Sequence, residues 1–126
     1  MRILLDTDAL IWWMEDKPML GSRARALLAN PANIVLGSVV SMWEITMKWR
    51  TGKHPLPGSP YGEFLAAQGI ALLPVTADHI AAVERLAFDH RDPFDHLILA
   101  QAAAENAVVM TSDAAMATYG IRCLPV

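Results

Sequence analysis

Four acids in this chain fall where chemistry is done. Asp6 directly follows the apolar run Ile3-Leu4-Leu5, and Asp113 closes Val108-Val109-Met110-Thr111-Ser112-Asp113. Asp95 lies in Asp92-Pro93-Phe94-Asp95, and Glu44 in Met42-Trp43-Glu44-Ile45. Ligands of an open parallel sheet bind beyond the carboxyl ends of its strands. Asp6 and Asp113 end strand-like runs, Asp95 opens a helix at the same rim, and Glu44 rides the helix that leaves the second strand there. Four carboxylates at one rim cannot all ionise without a counter-charge, because like charges drive their pKa values apart. A divalent cation supplies that charge. All-oxygen donors suit a hard ion, Mg2+ or Mn2+. Zinc has no Cys pair and no HExxH to rest on. A carboxylate-held ion that keeps waters activates one of them and clamps a phosphodiester in line. The chemistry that fits is metal-dependent phosphoester hydrolysis.

Each acid also has a purely structural reading. Asp6 is the strongest functional candidate, since Asp8 is better placed to cap the helix that follows. Glu44 is either a buried, paired or metal-bound carboxylate or an exposed i, i+4 partner of Lys48. Asp95 completes a capping box with Asp92 in its alternative reading, and Asp113 caps a short helix. Spacing alone leaves these three open; the four taken together favour a shared site.

The elements that must position these acids alternate along the chain. Residues 3–5 read as a strand, then a helix from Ala9 to Met14 broken at Lys17-Pro18, then a helix from Arg23 to Ala29 capped by Ser22. Residues 34–36 form the second strand, a helix runs from Val39 to Arg50, and residues 53–60 are a Pro/Gly-rich surface loop. A helix over 63–67, a strand over 70–75 and a helix from Thr76 to about Phe88 follow. Asp92 is an N-cap, Pro93 takes the first helical position, and the helix stops at Asn106. A strand at 108–110, a short helix after Asp113 and a last strand at 121–124 end the chain. Apolar strands alternating with helices predict an α/β fold: a central parallel sheet of four to five short strands, flanked by helices on both faces.

The 126 residues are 54% hydrophobic, enough for one domain with one sizeable core. A net charge of −3 offers no general nucleic-acid surface, so polyanion binding needs a local patch. The single cysteine, Cys123, excludes an intrachain disulfide and suits a reducing compartment; it reads as a small buried hydrophobe. No apolar run reaches membrane-spanning length, and Met1-Arg2 leads into a strand rather than a signal peptide. The expectation is a soluble, cytoplasmic protein.

With these motifs in place, a family resemblance follows. Leu5-Asp6-Thr7, Trp43-Glu44-Ile45, Arg91-Asp92-Pro93-Phe94-Asp95 with residues 97–102, and Thr111-Ser112-Asp113 resemble the PIN-domain ribonucleases, above all the VapC toxins of bacterial toxin–antitoxin pairs. The match runs through the whole chain in order, and Asp-Pro-Phe-Asp before an Ala-rich helix is its most specific part. It implies one PIN-like domain over residues 1–126 and a Mg2+- or Mn2+-dependent endoribonuclease. Asp6, Glu44, Asp95 and Asp113 match the acidic quartet, Asp92 a supporting position, and Thr7 and Ser38 supporting hydroxyls. The resemblance also implies a homodimer and a small antitoxin whose tail enters the active-site groove. One departure is Asp8, where similar toxins often carry His, Asn or Ser. A fifth acid near the metal either tightens metal binding or repels the RNA backbone; as a cap alone it changes little.

Lys48, Arg50, Lys53 and His54 form the densest basic group, and His90, Arg91 and His96 flank the central acids. These are the candidate phosphate contacts, Lys48, Arg50, Lys53 and Arg91 foremost; a solvated helix end and loop is the plainer reading. The four histidines show no ligand spacing and read as surface residues. Trp12, Trp13, Trp43 and Trp49 offer rings on which unpaired bases can stack. The plainer reading puts most of them in the core or a dimer interface, with Trp12 and Trp13 unable to face one core together, one inside and the other near an interface or the active-site mouth. Two rival functions remain. Ile3-Leu4-Leu5-Asp6-Thr7-Asp8 has the look of a haloacid-dehalogenase-like phosphatase with Asp6 as nucleophile, although no later lysine motif supports it. The other rival is a non-catalytic metal- or RNA-binding module.

Overall fold

The computed structural model describes residues 1–87 and 92–126. Arg91 and His90, two of the candidate RNA contacts, lie outside the described residues; the helix expected to run to about Phe88 ends earlier, at Glu84, with Arg85 as its C-cap. The apolar run at the start of the chain forms β1 (Arg2–Leu5), from which α1 (Thr7–Met14) leaves with a single residue between them. Then come α2 (Ser22–Ala29), β2 (Ile34–Ser38), α3 (Val39–Arg50), α4 (Tyr61–Ala67), β3 (Ala71–Leu73) and α5 (Ala77–Glu84). The chain finishes with α6 (Pro93–Ala104), β4 (Val108–Met110), a 3-10 helix (Ala114–Tyr119) and β5 (Cys123–Leu124).

All five strands are parallel, in the order β3-β2-β1-β4-β5. Its central strands β1, β2 and β4 are largely buried, which explains why they lack polar alternation, while the edge strand β3 is exposed. Successive side chains of a strand point to opposite faces, and the core divides accordingly. Ile3, Leu5, Val35 and Met110 join Ala9, Leu10, Ala24, Leu28, Tyr61 and Leu65 on one side. Leu4, Leu36 and Val109 join Val40, Ile98, Leu99, Ala102 and Met116 on the other. The β1–β4 boundary is where the chain changes direction of winding: β2 and β3 are laid to one side of β1, β4 and β5 to the other. That is the kind of crevice in which doubly wound sheets bind ligands.

Several expectations need correction. Asp6, not Asp8, caps α1; its carboxylate accepts the Ala9 N–H at 2.8 Å, while Asp8 sits exposed in the first turn. The helix starts two residues earlier than read, at Thr7 rather than Ala9, because strand passes into helix without a turn. Ser22 is the first residue of α2 and Gly21 its N-cap, with no side-chain capping bond. β3 and β5 are cut short by Pro74 and Pro125, which have no N–H to give a ladder. Trp12 and Trp13 both pack, half-buried, on the same core, because large rings reach it from adjacent helical positions. Trp43 and Trp49 are exposed. Cys123 is half-buried, and burial pushes its thiol pKa up.

His79 and His96 are buried, not superficial. His79 completes a capping box with Thr76: its Nδ1 accepts the Thr76 N–H at 3.0 Å, and its Nε2 faces Glu105 at 3.0 Å. His96 Nε2 lies 3.0 Å from the Tyr119 hydroxyl.

The loop after α3 is surface-exposed as expected except at Gly58. Its N–H donates to Thr46 Oγ1 at 2.8 Å, and a Cβ there would overlap the Met42 carbonyl. The loop is thereby clasped onto the helix that carries Glu44. Gly58→Ala should cost about 1–3 kcal/mol through overpacking, read by chemical denaturation, whereas Gly52→Ala has open space and pays only for its positive φ.

Candidate active site

The site is built from the carboxyl rim of the sheet. Asp6 continues β1 past its last residue, and its N–H donates to the Met110 carbonyl of β4 at 3.1 Å. It is therefore pinned at the β1–β4 boundary. Ser38 ends β2 and caps α3, its Oγ accepting the Val40 N–H at 2.9 Å. Asp113 follows β4 and caps the 3-10 helix by accepting the Ala115 N–H at 2.9 Å. α6 precedes its strand and so runs back to begin at the rim, with Asp92 accepting the N–H groups of Phe94 and Asp95 at 2.9 and 3.4 Å.

Asp6 is buried, and its pKa is raised from 3.8 to about 6. Burial is the main cause; the Asp8 and Glu44 charges add to it, and hydrogen bonds with Thr111 and the Ala9 N–H oppose it. Glu44 is buried on α3 and has a partner on each oxygen. Thr7 donates to Oε1 at 2.6 Å, and Lys48 Nζ lies 3.3 Å from Oε2. The two readings of Glu44 thus hold together: it is buried, and it pairs with Lys48 at i, i+4.

Asp8 and Glu44 lie near enough for their charges to disfavour the ionised form of Asp6. Asp113 joins Asp6 through Thr111, whose Oγ1 accepts the Asp113 N–H at 3.0 Å and which also bonds Asp6. Asp92 and Glu44 line one groove of 390 Å³ with Met47, Lys48, Thr51, Lys53, Pro93 and Phe94. Asp95 lies half-buried in the first turn of α6. Arg50 is exposed at the end of α3. Among the described residues, no three His, Cys, Asp or Glu side chains stand close enough to hold a metal ion. The donor set is nevertheless the right chemistry for a hard cation: oxygen only, with Asp6 disfavoured as an anion by its surroundings.

Thr7, a supporting hydroxyl in the sequence reading, bonds the Glu44 carboxylate. Ser38 does not touch the acids; its hydroxyl donates to Gln101 Oε1 at 2.5 Å, because the start of α3 faces α6. Ser41 takes the place expected of Ser38, 3.0 Å from Thr7 Oγ1. Ser41 and Thr111 were missed. Ser41 lies three residues before Glu44, hence on the same helix face, and Thr111 is a hydroxyl at the end of an apolar strand; both were visible signals.

The raised pKa sets the sign of a pH effect. Unfolded, the Asp6 carboxyl releases its proton near 3.8; folded, near 6. Stability from this group is therefore greatest below about pH 4, falls as pH rises to 6, and stays lower above, by about 3 kcal/mol. Asp6→Asn keeps an amide oxygen for the Ala9 N–H and removes the penalty. Denaturation in chelator should show the variant more stable than the parent at pH 8 and nearly equal to it at pH 4.

A family model for the PIN domain matches residues 3–121. A search of curated protein sequences gives no significant match. Among solved structures, the chain is similar to VapBC2 from Rickettsia felis bound to a DNA fragment from their promoter, with 16% identity, a TM-score of 0.72, and coverage of 99% of this chain and 98% of that one. It is similar to DNA-bound VapBC from Salmonella typhimurium at 17% identity and a TM-score of 0.73, again over 99% and 98% of the two chains. FitAcB from Neisseria gonorrhoeae gives 19% identity and a TM-score of 0.60 over 97% and 96%. At such identities these likenesses establish the shared fold. With the family model spanning nearly the whole sequence and the sheet order and rim described above, the chain belongs to the PIN-domain family.

Proposed function

We propose that this protein is a metal-dependent endoribonuclease and the toxin of a toxin–antitoxin pair. The observation that carries the reading is Asp6: a carboxylate buried at the centre of a PIN-domain rim, its ionisation opposed by burial and by Asp8 and Glu44. A cation beside such a group offsets those opposing effects and favours its ionised form. Asp6, Glu44, Asp95 and Asp113 are the residues that would hold Mg2+ or Mn2+, with Asp92 and Asp8 close by. When bound, the ion lowers the pKa of a water and offsets the charge that builds on the phosphate. Thr7 and Ser41 orient the Glu44 carboxylate, and Thr111 orients Asp6. Lys48, Arg50, Lys53 and Arg91 are the phosphate contacts of this reading, Lys48 and Lys53 lining the groove beside Glu44.

The antitoxin partner rests on the fold shared with VapBC and FitAcB. Its tail would enter the active-site groove. A homodimer is part of the same reading, for which Leu72, Val75 and Ile80 offer exposed apolar surface beside the sheet edge. The chain acts as one unit, residues 1–126, in the cytoplasm; among the described residues, no helix is long and apolar enough to cross a membrane.

The test is cleavage of total bacterial RNA by purified protein with Mg2+ or Mn2+. Asp6→Asn and Asp95→Asn should each lower the rate more than about 100-fold while keeping the circular-dichroism spectrum of the parent, and chelator should stop the parent. Either variant cutting at the parent's rate would remove its residue from the site. In a bacterium, induction of the chain alone should arrest growth, and the same substitutions should lift the arrest; unhindered growth with folded protein present would count against the toxin role.

A further inference from the structure

We propose that Trp43 and Phe94 form a stacking platform that seats one unpaired base of the RNA next to the acids; this rests on the nuclease reading above and adds to it a binding residue that phosphate contacts alone do not supply.

Trp43 is 53% exposed, unusual for a residue that is mostly buried in folded chains. Packing within the chain does not account for it, since it belongs to neither core cluster. It is nevertheless held in place: its ring lies 4.6 Å from that of Phe94 at 70°, an edge-to-face pair. Phe94 in turn packs against the core face that contains Leu4, Ile98 and Leu99. The exposed indole therefore stands on an anchored base.

Its place is as telling as its exposure. Trp43 immediately precedes Glu44, and Phe94 immediately precedes Asp95. The pair bridges α3 and the start of α6, the two helices that bring those acids to the rim. Phe94 is also a wall of the 390 Å³ groove whose lining includes Glu44, Lys48 and Lys53. That volume is in the range of clefts for small ligands, about 300–1,000 Å³. Trp43 is not part of that lining and adjoins it through its contact with Phe94. An aromatic wall extended by the indole, two ammonium groups and two carboxylates match a nucleotide: base on the rings, phosphate on the lysines, scissile linkage toward the acids. Proteins hold unpaired RNA in this way, by stacking bases on aromatic side chains along a basic track.

An exposed aromatic pair also suits a protein partner. The groove argues against the apolar core of a protein interface, which is depleted in Lys, Glu and Asp, because two lysines and two acids line the same 390 Å³. RNA is the proposed occupant, and an antitoxin tail in that groove would compete with it.

The experiment uses the full chain carrying Asp6→Asn, so that bound RNA is not cut. Two labelled probes are titrated by fluorescence anisotropy: a random-sequence single-stranded RNA 12-mer and an abasic ribose-phosphate oligomer of the same length. Adding Trp43→Ala should weaken the RNA probe about tenfold or more and leave the abasic probe unchanged, and Trp43→Phe should recover most of the loss. Lys48→Gln with Lys53→Gln should weaken both probes alike. Equal affinity of the Trp43→Ala protein for RNA, or equal losses on both probes, overturns the platform. So does a Trp43→Ala protein whose sedimentation shows a dimer dissociating while RNA affinity stays as before, which would make the patch a protein interface. If the Asp6→Asn protein itself binds neither probe, the nuclease reading fails first and the platform with it.

Discussion

A carboxylate placed directly after a fully buried strand is the constraint from which the rest of this structure follows. Asp6 has no turn in which to reach water. Its backbone is tied to β4, its side chain accepts the Ala9 N–H of α1, and it is buried. The cap contributes on the order of 1 kcal/mol, less than the cost of keeping the group charged. The protein therefore carries a built-in deficit of positive charge at one point of the rim. Lys48 answers part of it from α3, through Glu44. An ion bound among the acids would answer the rest.

Holding α3 at the right height is the task of a buried polar chain on the other face of the sheet. Ser38 caps α3 and donates to Gln101, whose amide reaches the Pro74 carbonyl at 3.3 Å and His79 Nδ1 at 3.5 Å. Because His79 Nδ1 accepts from Thr76, the ring carries its proton on Nε2, directed at Glu105, and Glu105 is met by Arg2 at the foot of β1. Side chains from α6, α5 and two strands are thus joined, buried at Ser38, Gln101 and His79 and reaching the half-exposed Glu105 and Arg2. Such a network is worth having only when each member is satisfied, and each of these is. It fixes where the first turn of α3 lies relative to α6, and so the separation between Glu44 and the acids of α6.

What the sequence made legible has a physical pattern. The strands of the sheet centre were plain because three consecutive apolar residues, as at Ile3-Leu4-Leu5 and Val108-Val109-Met110, suit burial on both faces. Asp92-Pro93 announced the start of α6 because a capping acid and a proline fit only that end of a helix. The Asp6 cap was misread because the usual turn between strand and helix is missing. His79 escaped because its capping box uses an imidazole where Glu or Gln is common, and its burial depends on Glu105, distant in sequence. The role of Ser38 was misassigned for a similar reason: its partner, Gln101, comes from another helix, and no spacing within α3 points to it. Local chemistry could be read from local sequence; pairings across elements could not.

The outer strands of the sheet, β3 and β5, are three and two residues long and end at prolines. So short a margin offers few unpaired backbone groups, and it blunts the tendency of open sheets to recruit further strands. Association by extending the ladder is thereby closed off at both margins. Whatever binds this molecule must recognise side chains displayed by its helices and loops, which leaves the selectivity of its encounters to surface chemistry rather than to main-chain pairing.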